Sequence, residues 1–73
     1  MFNKLLTRAG QVRRFTVDAR GGGDGWEVRV EQDSAILRRQ SYTDWHRVER
    51  ALTLMEDEVL ELEEHGWQLL PSR

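Results

Sequence analysis

Polar and apolar positions along the chain fall into two periodicities, and the change from one to the other divides it. Between Val12 and Ala19 the sequence VRRFTVDA alternates, with Phe15, Val17 and Ala19 on one side and Arg14, Thr16 and Asp18 on the other, as in a strand with one face buried. WEVRVE, from Trp26 to Glu31, repeats the pattern: Trp26, Val28 and Val30 point one way, Glu27, Arg29 and Glu31 the other. Ala35 to Gln40 predicts a third strand. With RGGGDG between the first two and a tight turn near Gln32 and Asp33 before the third, the three read as an antiparallel meander. A two-residue turn at Gln32-Asp33 sets Val30 opposite Ala35, Val28 opposite Leu37, Glu27 opposite Arg38 and Trp26 opposite Arg39. The alternative turn at Asp33-Ser34 opposes Arg29 to Arg38, a like-charge pair, and is disfavoured. The preferred register places Arg39 beside Trp26 on the inner face, where a guanidinium can stack on the indole.

From Thr43 the period becomes helical. Thr43 suits an N-cap and Asp44 suits the positive helix start. Trp45, Val48, Leu52, Met55, Val59 and Leu62 follow at spacings of 3, 4, 3, 4 and 3, and Gly66 is a natural stop. This stripe predicts a long helix packed on the sheet. It leaves over Leu54 and Leu60, each about 120° from its centre at 100° per residue. Beyond Gly66, Trp67, Leu69 and Leu70 predict a short strand or extended tail over 68–73. Residues 1–10 are expected to form a short helix or a flexible arm. The fold class is therefore α+β: three antiparallel strands, or four with the tail, packed on one C-terminal amphipathic helix in the order (α)βββα.

At 73 residues the chain is expected to be a single domain, 1–73, with a small core. No cysteine is present, so disulfides and thiolate metal sites are excluded, and self-association is the remaining support for so small a scaffold. Ten arginines to one lysine point to a GC-rich, bacterial genome. The apolar run near the start is too short for a secretory signal and none is long enough to cross a bilayer, which gives a cytoplasmic expectation with no membrane partner.

The net charge of −2 conceals an asymmetry. Residues 1–41 hold eight basic and five acidic side chains, and residues 42–73 hold three basic and eight acidic. Glu56, Asp57, Glu58, Glu61, Glu63 and Glu64 crowd toward the helix C-terminus, where the dipole disfavours anions, so a compensating surface is expected. Leu54, Leu60, Asp57, Glu61 and Glu64 are the candidate partner-binding residues. The expected function is a small, non-catalytic protein-interaction or regulatory module that self-associates as a homodimer through its helix and takes another protein as a further candidate partner.

Catalysis, cofactors and metals are not expected. His46 and His65 lie about 28 Å apart along one helix, at 1.5 Å per residue, and cannot share an ion within one chain. The run Gly21, Gly22, Gly23, Asp24, Gly25 lacks the Lys-Ser/Thr and the following helix of a phosphate loop, and reads as a hairpin connection. The alternative function is nucleic-acid binding by an arginine-bearing sheet face with Arg14, Arg20, Arg29 and Arg38. Three strands followed by a helix over roughly residues 12 to 60 resemble, in topology, the sheet-in-groove modules of ERF-type factors and integrase arm-binding domains. A leading helix would give the αβββα order of double-stranded RNA-binding domains, but Asp44 to Arg50 lacks that family's basic cluster. Asp18, Glu27 and Glu31 interrupt the basic face, and the acidic total opposes phosphate binding.

Overall fold

The computed structural model describes residues 2–20 and 22–71. Four strands come first: β1 (Phe2–Arg8), β2 (Gln11–Ala19), β3 (Trp26–Gln32) and β4 (Ala35–Tyr42). A 20-residue helix, α1 (Trp45–Glu64), and a short β5 (Gln68–Leu69) follow. The sheet order is β4-β3-β2-β1-β5 and every neighbouring pair is antiparallel. The α+β class stands, with five strands in place of three or four and the order ββββαβ in place of (α)βββα.

Phe2–Arg8 is a strand and not a helix or flexible arm. Leu5 and Leu6, adjacent and apolar, resemble one side of a helical turn, but in the sheet they point to opposite faces, Leu6 into the core and Leu5 outward. Ala9 and Gly10 both take positive φ and close the β1–β2 hairpin. A non-glycine in that region is uncommon, which hid the turn. In the tail, β5 pairs Leu69 with Leu6, and Leu70 N–H donates to the Leu5 carbonyl at 2.8 Å. Residues 72 and 73 lie outside the described residues.

The β3–β4 turn is Asp33-Ser34, both at positive φ, and not Gln32-Asp33. Asp33 is fixed from outside the hairpin: its N–H donates to the Val12 carbonyl and its Oδ1 accepts from Val12 N–H, both at 2.9 Å. A β-bulge then leaves Leu37 unpaired, so Glu31 faces Ile36 while Val30 faces Arg38. Arg38 therefore joins Val30 on the helix side and Arg39 moves to the outer face. The expected pairs fail accordingly: Val28 faces Gln40, Glu27 faces Ser41, and Trp26 faces Tyr42 in place of Arg39. Arg29 does meet an arginine, Arg39, but Glu27 offsets the repulsion by holding both, Arg39 Nε at 3.0 Å and Arg29 Nη1 at 3.7 Å.

Asp44, not Thr43, caps α1, its Oδ1 accepting from His46 N–H at 3.0 Å. At the other end Gly66 N–H donates to Glu63 O and Trp67 N–H to Leu62 O, with Gly66 at φ 94°, a Schellman closure. It reverses the chain so that Trp67 turns under the sheet. The core is Leu6, Phe15, Val17, Val28 and Val30 from the sheet, Val48, Met55 and Val59 from the helix, and Trp67. Leu52 and Leu62 flank it half-buried, while Trp45 sits at its rim against Trp26.

Candidate interaction surface

Leu54 and Leu60 are 63% and 61% exposed, against complete burial of Val48. Their positions on α1 differ by about 120° at 100° per residue. Leu54 turns toward β4 and lines a groove of about 380 Å³ with Arg38, Tyr42, Arg47, Arg50 and Glu58. Leu60 turns toward β1 and β5, into a smaller groove of about 210 Å³ with Phe2, Lys4 and Leu69. The two leucines therefore border different surfaces, separated by the outward ridge that carries Asp57, Glu61 and Glu64. Glu61 also lines a third groove, with Arg8, Arg13, His65 and Trp67, at the helix C-terminus. Asp57 and Glu64 are exposed.

The surface beside Leu54 continues onto the sheet edge. β4 is one of the two edge strands, so one side of its backbone has no strand neighbour among the described residues. Every residue of β4 except Tyr42 is exposed, Ile36 at 51% and Leu37 at 57%. A long strand with a free edge is a template for pairing with another chain, and the bulge at Leu37 blunts only its turn-proximal end. The edge has a signal in the sequence: AILRRQSY does not alternate, because neither of its faces is buried.

The groove between β4 and α1 has an apolar floor, with Val28 and Met55, and charged walls. Arg38 Nη2 donates to Glu58 Oε1 at 2.8 Å, tying the edge strand to the helix. Tyr42 O–H donates to Gln40 Oε1 along the same wall. Arg47 and Arg50 stand on the N-terminal half of the helix flank, Glu58 and Glu61 on the C-terminal half.

The four arginines considered for nucleic acid do not share one face. Arg14 and Arg29 lie on the outer face of the sheet, Arg38 lies on the helix side because of the bulge, and Arg20 follows the end of β2. Arg29 sits between Glu27 and Glu31; its Nε is 2.9 Å from Glu31 Oε1, an ion-pair separation without hydrogen-bond alignment. Thr16 is buried among these side chains, its Oγ1 reaching the Arg29 carbonyl. The outer face is thus a lattice of paired charges, Glu27 shared by Arg29 and Arg39.

His46 Nδ1 lies 3.4 Å from Glu49 on the helix surface, and His65 Nδ1 contacts the Glu61 carbonyl at 2.8 Å. Among the described residues no cluster of three or more His, Asp or Glu side chains is placed to hold a metal ion, and no helix is long and apolar enough to cross a membrane. In comparisons with known proteins, no family model, curated protein or solved structure matches the chain.

Proposed function

We propose that this protein is a small, non-catalytic interaction module that self-associates. The observation that carries the proposal is the adjacency of the free β4 edge to the exposed Leu54 flank of α1. Unpaired backbone groups of an edge strand and an apolar side chain next to them are stabilised together when a second chain covers both. Sedimentation at several protein concentrations tests it: a species of twice the 8.6 kDa chain mass should grow with concentration, and a single 8.6 kDa species throughout overturns it. A further protein partner would use the acidic ridge. Asp57→Lys with Glu64→Lys should then weaken its capture while leaving the circular dichroism spectrum unchanged.

Nucleic-acid binding has less behind it, because its arginines are dispersed and those at the centre of the sheet's outer face are neutralised by Glu27 and Glu31. A phosphate-binding surface loses affinity steeply with salt. Titration of labelled single- and double-stranded oligonucleotides at two salt concentrations should therefore show no salt-sensitive binding.

A further inference from the structure

Charges along the Leu54 flank of α1 are arranged with opposite signs on either side of that leucine. Arg47 and Arg50 precede Leu54 by seven and four residues; Glu58 and Glu61 follow it by four and seven. All four lie within about 40° of Leu54 around the helix, at 100° per residue, so they form one stripe. Such a stripe complements itself when a second copy runs antiparallel with Leu54 opposite Leu54: Arg50 then meets the other copy's Glu58, and Arg47 its Glu61. Glu58 uses Oε1 for Arg38, and its second oxygen can take the incoming guanidinium.

The edge strand is compatible with the same axis. In an antiparallel pairing of β4 with its copy across a two-fold axis normal to the sheet, one residue faces itself, because facing residues share a face. Centring on Arg38 or Arg39 opposes arginine to arginine, which destabilises. Centring on Gln40 places Gln40 against Gln40, Arg38 against Tyr42 and Arg39 against Ser41, with no like-charge pair. The helix lies above that point: Arg38 contacts Glu58, and Leu54 is one turn back, about 6 Å along the helix. Gln40 is two residues on from Arg38, about 7 Å along the strand in the same direction, and Leu54 and Gln40 line one groove.

Resting on the proposed self-association, we infer that the homodimer is isologous, its two-fold axis passing between the two copies of Gln40 and the two copies of Leu54, so that the sheets join through β4 and the α1 helices lie antiparallel above the seam. The occupant of the β4–α1 groove is then the corresponding flank of a second copy.

The absence of cysteine gives a direct test on the full chain. Under mild oxidation Gln40→Cys should become a disulfide-linked dimer, since facing residues are within bridging reach, while Leu60→Cys on the opposite flank should not. In sedimentation, Arg47→Glu and Glu61→Arg should each weaken the dimer by about tenfold, and the double variant should return it to near the wild-type constant. Circular dichroism of each variant separates lost association from lost folding. Dimers that persist while Gln40→Cys stays unlinked, or while the double variant fails to recover, overturn this axis and leave self-association standing. A wild-type chain that stays monomeric at every concentration overturns both.

Discussion

Trp26 at the start of β3 and Trp45 in the first turn of α1 meet with ring centroids 5.0 Å apart and planes tilted by 60°. The pair fastens the helix start to the lower end of the sheet, where Ala19 and Tyr42 flank Trp26 in the neighbouring strands. Trp45→Ala should lower unfolding stability by about 1.5 kcal/mol, the sum of the ring contact and partial loss of buried area at a site 38% exposed. Trp45→Phe should recover more than half of that in urea denaturation. Equal losses for the two substitutions would mean that a smaller ring cannot make the contact and that the indole itself is required.

Two glycines of the β2–β3 connection should respond differently to alanine. Gly25 has φ 110°, and a Cβ there would overlap the Tyr42 carbonyl oxygen; Gly23 has φ 77° with open space around it. Gly23→Ala should cost about 1 kcal/mol, the ordinary penalty for a left-handed L-residue. Gly25→Ala should cost at least about 2 kcal/mol, because the start of β3 and the end of β4 must also separate. Thermal denaturation of the pair checks the order.

Among the described residues Trp67 is the only core residue that follows the helix, and it reaches the core because the Gly66 closure turns it back. Trp67→Ala should cost about 3 kcal/mol, as for a large buried side chain. Arg13, whose guanidinium lies 5.2 Å from the ring centroid and donates from Nε to Gln32 Oε1 at 3.1 Å, contributes less: Arg13→Gln should cost about 1 kcal/mol for the two contacts together. A ratio near one between these losses in urea would show that the tryptophan anchors nothing but the arginine.

The last turn of α1 contains acidic residues and no basic one. Glu64 is exposed there, facing the negative end of the helix dipole. Glu64→Lys should therefore raise stability by about 0.5 kcal/mol at low salt, and the gain should shrink at high salt. A melting temperature unchanged or lowered at low salt would show that the carboxylate has a compensating partner.

What the sequence disclosed followed the burial of each segment. α1 was legible through Val48, Met55 and Val59, since one face of it meets the core along its whole length, and β2 and β3 through Phe15, Val17, Val28 and Val30. β1 was not, because Lys4 occupies a core-side position between Phe2 and Leu6 while Leu5 points outward, which erases the alternation. β4 misled for a different reason. Pairwise charge selects among regular registers only, and the bulge at Leu37 resolves the conflict by a means that regular pairing does not contain. For the candidate surface, the heptad spacing puts Leu54 and Leu60 outside the core stripe and about 120° apart on the helix, but it does not say what each one borders. Only the positions of β4 on one side and β1 with β5 on the other separate them into two grooves.

The bulge also bears on how this chain can change in length. Leu37 takes no partner, while Ile36 before it and Arg38 after it pair with consecutive residues of β3. Excising Leu37 would leave a regular hairpin with every other pair intact, whereas losing one residue anywhere between Arg38 and Tyr42 would exchange the faces of the side chains on one side of the gap. Within β4, a one-residue deletion is accommodated at Leu37, and the Arg38 link to the helix survives it.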